Sequence, residues 1–103
     1  MRRIFTFFLT FLLGVFVTAL YAQTHTVSGT VIDKDANEPL IGANVLIKGT
    51  TIGTVTDLDG KYTLQAGDKD ILVFSYLSMK TIEEPVNGRT VINVKMTSDT
   101  ETL

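Results

Sequence analysis

The sequence predicts an all-β fold: an antiparallel sandwich of six or seven short strands that follows an N-terminal export segment. Apolar residues after position 22 recur with a period of two, in runs rich in Val, Ile and Thr, which is typical of half-buried strands. Turn-forming residues separate these runs at intervals of roughly 8–12 residues, as they do in sandwich proteins. No helical periodicity appears after the export segment.

Residues 1–22 have the order of a secretory signal peptide. Two arginines precede an apolar run over residues 4–18, and the small residue Ala22 closes the segment. We expect cleavage between Ala22 and Gln23, which exports the rest of the chain. The alternative is an uncleaved membrane anchor, because residues 4–22 approach the roughly 20 that a spanning helix needs. Both interpretations leave the two arginines on the cytoplasmic side.

Residues 23–97 are expected to form one sandwich domain, and residues 98–103 a short tail. Because the chain has no Cys and therefore no disulfide, nearly all of its apolar residues should be needed for the core. Residues 71–77 are almost continuously apolar, which predicts a central strand covered on both faces, with Leu72 and Phe74 in the core. The alternating strands should bury Val27, Val31, Ala43, Val45, Ile47, Ile92, Val94 and Met96.

Asn87 and Gly88 predict a tight hairpin turn. Both residue types adopt positive φ at low cost, as the two-residue turns of β-hairpins require. The sequence therefore predicts that residues 80–86 pair antiparallel with residues 90–96. A second regularity is a short internal repeat: residues 53–59 are similar in sequence to residues 29–35. This repeat indicates that a unit of one strand followed by an acidic turn occurs twice in the sandwich.

Composition excludes several classes of function. With no Cys, the chain has no thiolate zinc site, iron–sulfur cluster or cysteine nucleophile. A formal net charge of -2 and a pI of about 5.2 argue against nucleic-acid binding, which depends on basic residues that neutralise phosphates.

Two acidic turns are candidate calcium sites: the first has the D-x-D-x-N spacing of an EF-hand loop, and the second has two carboxylates and a glycine. In the first turn, however, Glu38 replaces the required glycine and Asn44 replaces the bidentate glutamate. Plain turns need the same residue types. We therefore predict no metal and no cofactor. The candidate residues are Asp33, Asp35 and Asn37 in the first turn, and Asp57, Asp59 and Gly60 in the second.

No catalytic group stands out, and the chain is predicted not to be an enzyme. The single histidine, His25, is expected in a frayed N-terminus, where nothing would orient it. Glu83 and Glu84 are adjacent on a strand and should face opposite sides. The mature chain's aromatic residues, Tyr62, Phe74 and Tyr76, are expected in the core rather than on a glycan-binding platform.

Four motifs carry a family resemblance: VSGTVID at residues 27–33, EPLIGANV at 38–45, KGTTIGTVTD at 48–57 and DGKYTL at 59–64. With them, residues 26–97 resemble the carboxypeptidase-regulatory-like domain at the N-terminus of SusC/RagA-type TonB-linked outer-membrane transporters of the Bacteroidetes. The resemblance implies a seven-stranded, transthyretin-like sandwich. One departure is the sequence LSMK at residues 77–80, where the family usually has an aromatic or aliphatic residue followed by Gly-Tyr-Lys.

The resemblance also implies a function. In the family, this domain precedes a segment that TonB engages, a plug and a barrel of about 22 strands; the sequence stops about where that segment would begin. It implies a non-catalytic interaction domain on the periplasmic face of the outer membrane of a Gram-negative bacterium. Its expected partners are envelope proteins, such as the transporter plug and barrel or an associated lipoprotein. Membrane contact is expected only through the signal segment or a missing barrel.

An alternative is a free-standing exported sandwich that acts in adhesion or ligand binding. A third, the accessory domain of a zinc carboxypeptidase, would need a catalytic domain that the sequence does not contain. For an interaction domain, the candidate contact regions are exposed strand edges and the loops at residues 50–53 and 57–60.

Overall fold

Eight strands in two sheets make up residues 23–99, the part of the chain that the computed structural model describes. The predicted all-β sandwich is confirmed, and a strand of two residues, β2, brings the count to eight. The expected signal segment lies outside the described residues. The strands are β1 (His25–Asp33), β2 (Glu38–Pro39), β3 (Asn44–Ile47), β4 (Gly53–Val55), β5 (Lys61–Ala66), β6 (Ile71–Ser75), β7 (Ile82–Pro85) and β8 (Val94–Met96).

The first sheet is built around β1. β5 pairs antiparallel with β1 in a register that sets His25 opposite Ala66, and β2 pairs with the end of β1 on the same side. β8 lies on the other side of β1 and runs parallel to it, with Val31 opposite Val94. Within residues 23–99 there is no helix of the length and apolarity that a membrane span requires.

The second sheet has the order β4-β3-β6-β7, and all of its pairs are antiparallel. Phe74 of β6 stands opposite Val45 of β3 on one side and Ile82 of β7 on the other. Its neighbour Leu72 stands opposite Ile47 and Glu84. β6 is therefore central in this sheet, as predicted.

The core lies between the sheets and contains every residue that the alternation predicted. The rings of Tyr62 and Phe74 meet edge to face at a centroid distance of 5.4 Å and an interplanar angle of 73°, a favourable aromatic arrangement. The buried apolar residues are Val27, Val31, Leu40, Ala43, Val45, Ile47, Tyr62, Leu64, Ala66, Leu72, Phe74, Val86, Ile92, Val94 and Met96.

The prediction for residues 71–77 was partly wrong. The strand ends at Ser75, and only alternate residues are buried, so one face of β6 packs on the core while the other is partly solvated. Leu77 lies in the following turn and is 89% exposed. A continuous apolar run does not distinguish a strand covered on both faces from a half-covered strand that continues into an apolar turn.

The predicted hairpin between residues 80–86 and 90–96 was wrong. Asn87 and Gly88 do adopt positive φ, 48° and 75°. However, the chain then crosses between the sheets, because β7 pairs with β6 whereas β8 pairs with β1. Ser28 of β1 bonds both Thr90 and Ile92, so the segment leading to β8 is already held by the first sheet. A turn fixes the local reversal of the chain but not the sheet that the next strand joins.

Gly29 lies where the backbone of Ile92 and the ring of Tyr62 pack closely against β1. A Cβ atom on Gly29 would lie 1.9 Å from the carbonyl oxygen of Ile92 and 3.0 Å from the Tyr62 ring. The same carbonyl accepts a hydrogen bond of 2.7 Å from the Tyr62 hydroxyl. Next to it, the Asn93 side chain accepts the N–H of Thr30 at 2.9 Å. The carbonyl of Ile92 and the N–H of Thr30 thus bond to side chains instead of to each other, because the segment before β8 departs here from regular pairing with β1.

Replacing Tyr62 by phenylalanine should reduce stability by about 1–2 kcal/mol at pH 8, because the buried carbonyl of Ile92 loses its partner. Burial raises the pKa of Tyr62 from 10.0 to about 12. As the pH rises, the Tyr62 hydroxyl therefore loses its proton in the unfolded chain before it does so in the folded protein, so the wild type should lose stability between pH 10 and pH 12. The difference in the free energy of unfolding between the wild type and Tyr62→Phe should shrink over the same range. Urea unfolding at several pH values measures this difference, and a constant gap would contradict the assignment.

Replacing Ser78 by glycine should stabilise the protein by about 0.5–1 kcal/mol. Ser78 has a φ of 65°, a conformation that costs a residue with a Cβ more than it costs glycine. Thermal melting should show the increase, and the matched change Ser98→Gly, at a residue without positive φ, should not raise the melting temperature. An unchanged or lower melting temperature for Ser78→Gly would argue against strain at this turn.

Candidate interaction surface

The first carboxylate of each acidic turn bonds to the backbone of that turn. Asp33 Oδ1 accepts the N–H groups of Asp35 at 2.9 Å and Ala36 at 3.2 Å. Asp57 Oδ1 accepts the N–H groups of residues 59 and 61, both at 2.9 Å. The predicted repeat of a strand and an acidic turn is therefore confirmed. Among residues 23–99, no group of three or more His, Asp or Glu side chains is arranged to hold a metal ion.

The expectation that His25 lies in a frayed terminus was wrong. His25 begins β1, and its Nε2 donates a hydrogen bond of 3.0 Å to the carbonyl of Arg89. Its Nδ1 lies 3.3 Å from Asp68 Oδ1. Pairing of β1 with β5 holds this residue in place, a long-range contact that sequence position alone does not reveal. The Nε2 bond therefore ties the start of β1 to the turn that contains Arg89, and the ring lies next to Asp68.

Glu83 and Glu84 face opposite sides of β7, as predicted. Glu83 accepts a bond of 3.0 Å from Lys48 across the outer face of the second sheet. Glu84 accepts one of 3.0 Å from Arg89. Both pairs are largely solvated and contribute little to stability. Tyr62 and Phe74 are buried as expected, and Tyr76 packs partly buried against the core.

A shallow depression of about 290 Å³ lies on the outer face of the first sheet. Its lining combines apolar surface with hydroxyl and amide side chains and one lysine, Lys61. No buried side-chain polar atom in the described part of the chain lacks a hydrogen-bond partner, so none is aimed into this depression awaiting a ligand. The other lining residues that carry side chains are Ser28, Thr30, Tyr62, Thr63, Val91 and Asn93.

Exposed apolar side chains concentrate around β4. The expectation that nearly all apolar residues serve the core was wrong, since seven large apolar side chains are exposed among residues 23–99. Two of them, Leu77 and Val91, lie elsewhere. The other five belong to β3, β4 or the loops beside them; together with the backbone edge of β4 we call them the β4 surface: Ile41, Leu46, Ile52, Val55 and Leu58.

β4 differs from the other edge strands in having no charge and no proline. β7, at the opposite edge of its sheet, contains Glu83 and Pro85; β5 contains Lys61 and β8 contains Lys95. Charged residues and proline on an edge are the usual protection against pairing with another chain. β4 is Gly53-Thr54-Val55, an edge without that protection.

The inner side of β4 is held firmly. Thr56, which follows the strand, is buried, and its hydroxyl accepts the N–H of Ala43 at 2.9 Å and donates to the carbonyl of Leu40. Its backbone bonds Ala43 and Gly42, each at 3.0 Å. A Cβ on Gly53 would lie 2.3 Å from Leu46 Cδ2, so the Leu46 side chain extends over the glycine toward the open edge.

The two predicted loops, residues 50–53 and 57–60, flank β4 and are exposed except for Gly60. Sequence reasoning missed the apolar part of the surface because it assigned such residues to the core. One signal was present: Leu46 stands between Val45 and Ile47, on the face that strict alternation leaves for polar residues.

The sequence of the chain matches a known family of domains. The model of the CarboxypepD_reg-like domain matches residues 27–103. The chain is 45% identical over 91 residues to the TonB-dependent receptor SusC of Bacteroides thetaiotaomicron. The aligned segment covers 87% of this chain but 9% of that receptor. The chain is 44% identical over 82 residues to the TonB-dependent receptor P26 of Formosa agariphila, or 80% of this chain and 8% of the receptor. The chain thus spans less than a tenth of the length of these relatives.

Proposed function

This chain belongs to the CarboxypepD_reg-like domain family, and from that membership we propose that it is an exported, non-catalytic interaction domain of a TonB-dependent receptor. Its place is the periplasmic face of the outer membrane. Its partners are envelope proteins: the plug and barrel of the receptor, or a lipoprotein associated with it.

The observation that carries the proposal is the β4 surface. Exposed apolar side chains on a rigid sheet are costly in water and are typical of binding surfaces. The groups that chemistry would need are used structurally instead, since His25 bonds a carbonyl and Asp33 and Asp57 bond backbone N–H groups. The domain therefore acts by presenting this surface to a partner.

A domain exchange tests the function. The segment of SusC that aligns with this chain is replaced by residues 27–99, and uptake of that receptor's own substrate is compared with the wild type and with a deletion of the segment. We expect the exchange to preserve most of the uptake that the deletion loses. The proposal is contradicted if the deletion does not reduce uptake. It is also contradicted if the receptor with the exchanged domain takes up no more substrate than the deletion.

Export is tested on the chain itself. In a Gram-negative host, intact-mass measurement of the periplasmic fraction should give a protein that starts at Gln23. A full-length chain in the membrane fraction would instead support the uncleaved anchor. A free-standing adhesion or ligand-binding module would be exported in the same way but would fail to restore uptake in the domain exchange.

A further inference from the structure

The backbone of β4 is open on one side. Ile47 N–H bonds the carbonyl of Ile52 at 2.9 Å, and Thr56 N–H bonds the carbonyl of Ala43 at 3.0 Å. Because backbone groups alternate along an antiparallel strand, residues 52, 54 and 56 face β3, whereas Gly53 and Val55 face away from it. The Val55 carbonyl accepts a bond of 3.5 Å from the Thr54 hydroxyl, a weak contact that a strand N–H can replace.

Apolar side chains border this edge on the outer face of the sheet. Val55 is 55% exposed, and Leu46, from the neighbouring strand, covers Gly53. Ile52 and Leu58 lie in the loops before and after the strand and are also well exposed. A strand added beside β4 would place alternate side chains next to Val55 on the outer face, and those side chains should therefore be apolar too.

Charge differs between the two ends of β4. Lys48, the basic residue nearest the start of the strand in sequence, is paired with Glu83. The other end carries the exposed carboxylates Asp57 and Asp59. An added strand that runs antiparallel, like every pair in this sheet, has its N-terminal end beside these carboxylates, where a basic side chain complements them.

We propose that β4 is a strand-addition site: it accepts an extended segment of a partner envelope protein as a fifth strand of the second sheet. The segment has a Lys or Arg at its N-terminal end, followed by apolar residues at alternate positions. This inference rests on the proposed function and names the edge and the partner chemistry. The other three edges carry charge or proline, so the site is specific to β4.

The test uses the full chain labelled with 15N and the synthetic peptide acetyl-Lys-Lys-Val-Thr-Val-Thr-Val-amide. Binding should shift the amide signals of residues 53–55 more than those of β5, β7 or β8. Two peptide controls separate the contributions: N-methylation of the valines removes the N–H groups that would bond β4, and Glu-Glu in place of Lys-Lys reverses the charge. Both should bind at least about tenfold more weakly.

A matched pair of variants tests the position. Val55→Lys should weaken binding at least about tenfold, whereas Val91→Lys, at a valine that is 57% exposed on the other sheet, should leave it unchanged. Asp59→Lys is a second variant that tests the charge alone and should weaken binding by a smaller factor. The dispersion of the amide spectrum shows whether each variant is folded.

Several results would overturn the proposal: no binding at about 1 mM peptide, equal binding of the N-methylated peptide, shifts centred on another edge, or self-association through β4 without peptide. These results concern the edge alone. If the domain exchange restores uptake while the peptide fails to bind, the strand-addition site is wrong and the proposed function stands. If the exchange fails, the function is wrong whatever the peptide does.

Discussion

Replacing Phe74 by alanine should leave most of the protein unfolded. Phe74 is fully buried at the centre of the second sheet and packs against the Tyr62 ring. Deleting a buried phenylalanine side chain costs about 3–5 kcal/mol, through lost transfer free energy and the cavity that remains. A domain of this size has a total stability of about 4–12 kcal/mol. Urea unfolding followed by circular dichroism should show the loss.

Leu77 provides the matched control for this change. It lies three residues further along the same apolar run but is 89% exposed, so Leu77→Ala should change the free energy of unfolding by less than about 0.5 kcal/mol. A Phe74→Ala protein that melts within a few degrees of the wild type would show that Phe74 is not at the centre of the core.

Replacing Gly29 by alanine should destabilise the protein by about 3 kcal/mol or more. The added methyl group would lie 1.9 Å from the carbonyl oxygen of Ile92 and 2.7 Å from its carbon, and both atoms belong to the backbone. The segment before β8 must move away, which strains the bond between Tyr62 and Ile92 and the pairing of β1 with β8. Overpacking at a rigid contact costs about 1–3 kcal/mol or more.

Gly67→Ala is the control for this glycine. Its added Cβ would have its nearest neighbour, Asp70 Oδ2, at 3.4 Å, and its φ is not positive. Thermal melting should therefore place Gly67→Ala close to the wild type and Gly29→Ala far below it. Similar melting temperatures for the two variants would refute the close contact between β1 and Ile92.

Much of the fold was predictable because burial follows the side-chain alternation of strands. Val27, Val31, Val45 and Ile47 are buried where a period of two places them. Strand partners were less predictable. Asn87-Gly88 specified a local reversal correctly, but the pairing of β8 with β1 depends on residues more than 60 positions apart in the sequence, such as Val31 and Val94.

The candidate surface was only half predicted, for a related reason. The loops beside β4 are rich in Gly, Thr and Asp, and such residues predict exposure. Val55 and Leu46, by contrast, are residue types that usually lie in a core, and they are exposed because their side chains lie on the outer face of the second sheet. Sequence composition does not state which face of a strand packs on the core.

The parallel pairing of β1 and β8 determines how the domain carries mechanical force. Parallel neighbours place the entry of β1, at His25, and the exit of β8, at Met96, at opposite ends of the pair, about 26 Å apart along the strands. Tension on those two points slides the strands past each other and loads all their hydrogen bonds at once. Tension on His25 and Ala66, which are direct partners, would open β1 and β5 one bond at a time. Single-molecule pulling through residues 25 and 96 should therefore require a higher unfolding force than pulling through residues 25 and 66.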